Sequence, residues 1–237
     1  MVVDFHSHII PNIDDGSHSL DMSVAMLRME AQQGIRQVVL TPHFYAQHDS
    51  PQKFLERRNV AELKLREEMS RHEGLPQVFF GAEVYYFSGI SESDSLYELT
   101  IKDTNHILIE MPLGPWTDRM YEELYRIHAN RGLVPIIAHV DRYISPFKTY
   151  QIPERLREMP VLVQANSSFF LSRMTRKMAM RMLKEEEIHL LGSDCHNISD
   201  RKPNLGDTVL LIEKKLGMDA IKKLHLYEKE VLHFDLK

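Results

Sequence analysis

Five short segments of this chain end a run of apolar residues with side chains that bind metal ions. They are Asp4-Phe5-His6-Ser7-His8, Thr41-Pro42-His43, Gly81-Ala82-Glu83, Ala138-His139 and Ser193-Asp194-Cys195-His196, with Leu108-Ile109-Glu110 as a sixth. One such segment constrains little. A charge left alone in an apolar surround is heavily penalised, so a carboxylate at the end of a buried strand needs a counter-charge. Six strands ending this way describe a barrel with its ligands around one rim.

The apolar runs are Val2–His6, Gln37–Thr41, Val78–Glu83, Ile107–Met111, Val134–His139, Val161–Asn166 and Ile188–Ser193. They are short and almost continuously hydrophobic, as strands buried on both faces of a parallel sheet are. Helical spacing separates them. Leu20, Val24, Leu27 and Ala31 form one stripe, and Met120, Leu124 and Ile127 another. Gly34 and Gly132 stand where a helix C-terminus wants glycine. Ser50-Pro51 opens a charged helix expected to run to about His72, with proline at its favoured first position. After Leu205 the pattern is helical, with an apolar face at Val209, Ile212 and Leu216, and no eighth strand is evident. The alternation predicts an α/β chain, a closed or nearly closed parallel barrel of seven strands. In such barrels function sits at the C-terminal ends of the strands, where the ligand residues fall.

At 237 residues and 43% hydrophobic content, the chain is expected to form one domain over residues 1–237. A net charge of −5 argues against a nucleic-acid partner, and acidic residues gathered in a site suit divalent cations. The one cysteine, Cys195, excludes an intramolecular disulfide. With no signal peptide and no apolar run near the ~20 residues of a membrane span, the reading is a cytoplasmic protein without membrane insertion.

His6 and His8 are two apart on a strand, so both face one side and can grip one ion. The bland reading of such a pair, two structural histidines, carries about equal weight on its own. Asp14-Asp15-Gly16 reads as a turn in which one aspartate caps the helix beginning near Leu20. Glu83 and Glu110 close apolar runs, and burying either carboxylate calls for a cation. His139, Asp194 and His196 complete the rim. His106 and His189 precede strands and should face the opposite end. His72, His128, His225 and His233 lie in helical or terminal segments, while His18 and His48 lie in rim loops with no role assigned.

In this order the motifs carry a resemblance. His6-Ser7-His8 with Asp15 seven residues on, Thr41-Pro42-His43, Gly81-Ala82-Glu83-Val84-Tyr85-Tyr86, Leu108-Ile109-Glu110, Ala138-His139-Val140-Asp141-Arg142-Tyr143, Gln164-Ala165-Asn166-Ser167-Ser168 and Ser193-Asp194-Cys195-His196-Asn197 resemble the polymerase-and-histidinol-phosphatase (PHP) superfamily. More narrowly, they are similar to the CpsB/CapC-type bacterial tyrosine phosphatases encoded with capsule and exopolysaccharide genes. The resemblance runs from the first strand to about Arg201. Val140-Asp141 departs from the usual Pro-Glu or Ile-Glu, and Cys195 occupies a variable position. The resemblance implies a distorted seven-stranded (β/α) barrel of PHP type holding three divalent ions: manganese first, with iron, zinc or magnesium as alternatives. His6, His8, Glu83 and Asp194 would hold one ion and Glu83, Glu110 and His139 a second. Asp15, His43 and His196 would hold the third, and Arg142 and Arg201 would bind phosphate.

Clustered divalent ions lower the pKa of bound water toward ~7, so a metal-bound hydroxide is expected to attack phosphorus. A tyrosine leaving group, with a pKa of ~10, needs less protonation than a serine alkoxide. Asp141 and Asp14 are the candidates for general acid. Aromatics at the rim (Phe44-Tyr45, Tyr85-Tyr86-Phe87, Trp116, Tyr143 and Phe169-Phe170) favour an aryl phosphate, although packing under loops accounts for any one of them. The implied substrate is a phosphotyrosine protein, the tail of a bacterial tyrosine kinase. A small phosphomonoester such as histidinol phosphate and a non-catalytic metal-binding module are the rivals. The Cys195-x5-Arg201 spacing of cysteine-dependent phosphatases reads as a decoy, because His196-Asn197-Ile198-Ser199-Asp200 contains no glycine and carries an acid.

Overall fold

A computed structural model of the chain describes residues 2–144 and 151–233. Among the described residues nine strands form: β1 (Asp4–Ser7), β2 (Gln37–Leu40), β3 (His43–Phe44), β4 (Gln77–Phe80), β5 (Glu83–Tyr85), β6 (His106–Glu110), β7 (Val134–Ile137), β8 (Leu162–Asn166) and β9 (Leu190–Gly192). The count exceeds the seven expected runs because the backbone kinks at Thr41-Pro42 and at Gly81-Ala82. The ladder itself continues across both kinks. Gly81 N donates to Leu40 O and Glu83 N to Pro42 O, each at 2.9–3.0 Å. Pro42 has no N–H to give, so the ladder loses one bond at the first of these steps.

Every strand pair is parallel. The strands make one sheet in the order β1-β2-β4 and another in the order β3-β5-β6-β7-β8-β9. The free edges of β1 and β9 are tied together: Asp194 N donates to His6 O at 2.8 Å and His8 N to Cys195 O at 2.9 Å. The fold is therefore α/β, a parallel sheet curled around an apolar interior.

Alternation along each strand divides the core in two. Val3, Phe5, Val39, Leu108, Ile136, Leu162 and Leu190 face inward as one cluster, joined by Val231 and Leu232 from the helix Met218–Leu232. Val38, Leu40, Ile107, Ile109 and Ile137 face outward into the larger cluster beneath the surrounding helices. Phe5, Leu108 and Leu190 are essentially inaccessible, and burying each such side chain contributes about 1.5–3 kcal/mol.

Helix α1 (Leu20–Gln32) begins where Ser19 Oγ accepts from Met22 N at 3.1 Å. Ser19, rather than either aspartate of Asp14-Asp15, is thus its cap. Helix α2 (Pro51–Met69) is capped by Ser50 and ends three residues before the expected His72. Gly132 closes the helix Asp118–Arg131 in the left-handed region, at φ 66°. The C-terminal helical pattern is two helices, Leu205–Leu216 and Met218–Leu232, broken at Gly217 with φ 82°. Residues 234–237 of the expected helical tail lie outside the described residues. No helix among the described residues is long and apolar enough to cross a membrane.

Candidate metal centre

His6 and His8, at the end of β1, bring their Nε2 atoms within 3.1 Å of each other. Glu83, the first residue of β5, sends Oε2 to 3.0 Å from His6 Nε2 and 3.3 Å from His8 Nε2. Asp194 Oδ1 lies 3.7 and 3.5 Å from the same two nitrogens. The other Glu83 oxygen is 2.9 Å from His139 Nε2, and Glu110 Oε1 is 3.5 Å from that nitrogen. His43 stands between groups. Its Nδ1 is 2.9 Å from Glu83 Oε2 and 3.7 Å from Glu110 Oε2, and its Nε2 is 3.7 Å from Asp15 Oδ1. The same Asp15 oxygen lies 3.4 Å from His196 Nε2. The nine expected ligands therefore meet at one rim.

The grouping differs in detail from the expected partition. His8 lies with Asp15, His43 and His196 as well as with His6 and Asp194, and His43 lies with Glu83 and Glu110. His8 and His43 are central to the cluster, each belonging to two groups of closely spaced ligand-type atoms.

Apart from the His6–His8 and His139–Glu83 hydrogen bonds, many of these contacts are close without being aligned hydrogen bonds. Glu83 Oε2, Glu110 Oε2, His43 Nδ1 and His196 Nε2 are buried and have no hydrogen-bond partner among the described residues. Buried polar atoms are ordinarily satisfied; Glu83, Glu110 and His43 form one close group and His196 joins His43 in another, so these atoms fit a cation-binding donor set. His6, His8, Glu83 and His139 are wholly buried. Two of the expected ligands also hold uncommon backbone: His139 has φ 32° and Asp194 φ 53°. Left-handed backbone in non-glycine residues costs energy and gathers at functional sites. Close packing does the rest, since a Cβ on Gly192 would lie 2.5 Å from His6 Cβ and 2.7 Å from Gln164 Nε2.

Residues behind the ligands orient them. Asp14 Oδ2 is 2.6 Å from His8 Nδ1 and accepts from His43 N at 2.9 Å, while Oδ1 accepts from Gly16 N at 3.0 Å. Asp14 thereby holds His8 with Nε2 facing the cluster, the carboxylate–histidine arrangement common behind metal sites. This employment removes it as a general acid. Gln164 Oε1 lies 3.2 Å from His6 Nδ1 and accepts from His139 N at 2.6 Å. Its Nε2 donates to Asn166 Oδ1, and Asn166 Nδ2 donates to Asp194 Oδ2 at 2.9 Å. Nothing in the sequence assigns Gln164 and Asn166 a role. Their signal was two amides two residues apart on an otherwise apolar strand. Asp141 Oδ1 accepts from Asn166 N at 3.0 Å, which places it in the same supporting network.

Electrostatics follow from this crowding. Burial alone would depress the pKa of His8, but the Asp14 charge and hydrogen bond outweigh it and hold the ring well above its usual range. Burial likewise opposes charge on Glu83 and Asp194. The surrounding imidazoles, joined at Asp194 by Arg142, nevertheless keep both carboxyls well below the ordinary range. His139 rises to about 9 because Glu110 and Glu83 outweigh its burial. His196 falls to about 4 through burial and the charge of His8.

Both arginines reach the cluster through Asp194. Arg142 Nη2 donates to Asp194 Oδ2 at 2.5 Å and Arg201 Nη2 to Asp194 Oδ1 at 3.0 Å. Cys195 is wholly buried, and burial pushes its thiol well above the usual range. The amides of His196 and Asn197 both point at Arg201 O, at 2.8 and 3.3 Å. An anion cradle of converging N–H groups therefore does not form, and the decoy reading of Cys-x5-Arg agrees with the structure.

Most rim aromatics are packing. Trp116 lies against Tyr143, whose hydroxyl accepts from Met111 N, and Phe169 and Phe170 are buried. Tyr45 differs: its ring is 5.1 Å from His43 and 5.5 Å from the half-buried Tyr85. It lines a cleft of about 330 Å³ with Asp15, His43, His48 and Arg57. His48 thus borders the centre, whereas His18 lines a cavity of about 790 Å³ beside it, between α1 and α2. His106 and His189 sit at the opposite ends of their strands, as expected.

Residues 2–232 match the family model for capsular polysaccharide synthesis, CpsB/CapC. The chain is 28% identical over 236 residues to tyrosine-protein phosphatase CpsB of Streptococcus agalactiae, covering 95% of each. It is 29% identical over 235 residues to the CpsB of Streptococcus pneumoniae, covering 94% of each. Among solved structures it resembles one described with YwqE of Bacillus subtilis and CpsB of Streptococcus pneumoniae as metal-dependent tyrosine phosphatases. That match has a TM-score of 0.84 at 24% identity, over 96% of this chain and 93% of the other, and bears on the fold.

Proposed function

Because the chain belongs to the CpsB/CapC capsular polysaccharide synthesis family, we propose that it is a metal-dependent protein-tyrosine phosphatase. The curl of parallel strands is read as the distorted seven-stranded PHP barrel, a single domain, with β2/β3 and β4/β5 each forming one kinked stave. The observation that carries the activity is Glu83: fully buried, with one oxygen toward His139 and the other toward His6, His8 and His43. A carboxylate so placed suits a bridge between two ions.

The donor set of five imidazoles and four carboxylates fits three divalent ions, with manganese, iron or zinc all compatible with it. His6, His8, Glu83 and Asp194 would hold one, Glu83, Glu110 and His139 a second, and Asp15, His43 and His196 the third. Bound ions would supply Lewis-acid stabilisation of the phosphoryl oxygens and a water of lowered pKa. Arg142 and Arg201, both anchored beside Asp194, would bind the non-bridging phosphoryl oxygens, for which a planar guanidinium is suited. Tyr45 would stack on the substrate ring. The larger cavity shares Ile13 and Arg57 with the Tyr45 cleft, so it offers room for the polypeptide on either side of the phosphotyrosine.

A protein substrate fits this continuous surface better than a small phosphomonoester. By family, the natural substrate is the tyrosine-rich tail of a kinase that controls capsule or exopolysaccharide assembly, met in the cytoplasm. The test is hydrolysis of a phosphotyrosine peptide against histidinol phosphate, before and after chelation and manganese return. Peptide turnover that chelation abolishes and manganese restores supports the reading. Preference for histidinol phosphate would refute the substrate, and full activity without metal would refute the mechanism.

A further inference from the structure

A second cluster of ionisable groups lies behind the rim. Val3 and Phe5 belong to the inner core, so Asp4 between them faces the opposite way, toward α1. There it meets Glu30, which interrupts the apolar face of that helix. Cys195, pointing away from its neighbours Asp194 and His196, arrives from the loop after β9. All three side chains are wholly buried. One ligand atom from each lies within 4.8 Å of the others.

The polar atoms of this cluster are incompletely satisfied. Asp4 Oδ1 accepts from His6 N at 3.1 Å and Ser193 N at 3.0 Å. No donor is aligned on Asp4 Oδ2 or on either oxygen of Glu30 among the described residues, and the two carboxyls lie close enough to share a proton between them. A buried Glu whose nearest polar neighbour is a second carboxyl is expensive, and a thiol faces it as well. Protons or a cation must compensate. Two carboxylates and one sulfur converging on a point are a ligand set for a borderline-soft divalent ion.

We infer that Asp4, Glu30 and Cys195 form a further divalent-cation site, of thiolate–carboxylate character and apart from the rim centre. The ion it suits is zinc or cobalt(II) rather than magnesium. On binding, the Cys195 S–H bond breaks, its proton leaves to solvent and a sulfur–metal bond forms, and any carboxyl proton is displaced in the same way. The ion would tie β1, which carries His6 and His8, to the loop carrying Asp194 and His196. Because the site is sealed, it loads as the chain folds.

Cys195 is the only cysteine, and the rim ligands contain no sulfur. A sulfur-to-cobalt charge-transfer band therefore reports this site alone. The full chain is unfolded, stripped of metal and refolded with cobalt(II), and its near-ultraviolet and visible spectra are recorded. The expected result is a charge-transfer band in the parental protein that is absent from Cys195→Ser, while the visible bands of cobalt at nitrogen and oxygen ligands persist. Glu30→Gln should weaken the band and lower the bound metal in proportion. Cobalt visible at the rim with no charge-transfer band in the parental protein would overturn the inference, leaving the triad satisfied by protons. The parental spectrum decides this even if a variant fails to fold. Phosphatase activity is not its readout, so the site and the proposed function can fail separately.

Discussion

Replacing Asp14 with asparagine should weaken metal binding without removing any ligand. The native carboxylate serves three donors: His8 Nδ1 and His43 N at one oxygen, Gly16 N at the other. Asparagine keeps the shape but puts an NH2 where one oxygen was. If the amide nitrogen faces His8 and His43, donor meets donor; if it faces Gly16, that amide loses its acceptor. Either arrangement leaves a part-buried donor unsatisfied, at a cost of about 1–3 kcal/mol. His8 can escape by moving its proton to Nε2, but that nitrogen is then closed to a cation. Loss of such a supporting contact commonly lowers metal affinity 10–100-fold, which corresponds to about 1.4–2.7 kcal/mol. The assay is phosphatase activity against manganese concentration, with calorimetric titration in parallel. Asp14→Asn should shift the curve to higher manganese and reach nearly the parental plateau. Asp15→Asn, which would remove a ligand, should lower the plateau itself. A parental manganese curve for Asp14→Asn would refute the reasoning.

Arg142→Ala and Arg201→Ala should each slow aryl phosphate hydrolysis with metal content near normal; the cost should be about 2 kcal/mol, at the low end for charged contacts because both guanidiniums are more than a third exposed. Parental rates in both variants would remove them from phosphate binding. Cys195→Ser should keep most turnover per folded molecule, and alkylation of the native protein should be slow because the sulfur is sealed; a trapped cysteinyl phosphate would contradict this. His189 accepts from Val163 N at 2.9 Å, and burial lowers its pKa to about 4. The folded state keeps it neutral while the unfolded chain takes a proton near 6.5, so its contribution is present above ~6.5 and lost as pH falls toward 4, by at most about 3 kcal/mol. Urea titrations across that range should show a shallower decline for His189→Gln than for the parent; equal slopes would count against it.

Strand ends carrying histidine and carboxylate are a local pattern, and so was legible without any structure. A buried acid at the end of an apolar run states its need for a partner wherever it is read, which is why Glu83 and Glu110 stood out. Periodicity likewise announced α1, the Ser50-Pro51 start announced α2, and continuous hydrophobicity announced the parallel arrangement, since strands buried on both faces require it. Pairing between distant segments left no comparable trace. The sequence allowed Asp14 to be a helix cap or an acid; only the approach of His8 and of the His43 amide made it a support for His8. Gln164 and Asn166 became meaningful when β8 lay beside β7 and β9, bringing them to His6, His139 and Asp194. Glu30 carries no such signal in the sequence; only the packing of β1 and the loop after β9 against α1 brings it to Asp4 and Cys195. The physical reason is the same in each case: residue type sets what a group needs, and three-dimensional proximity decides which group answers it.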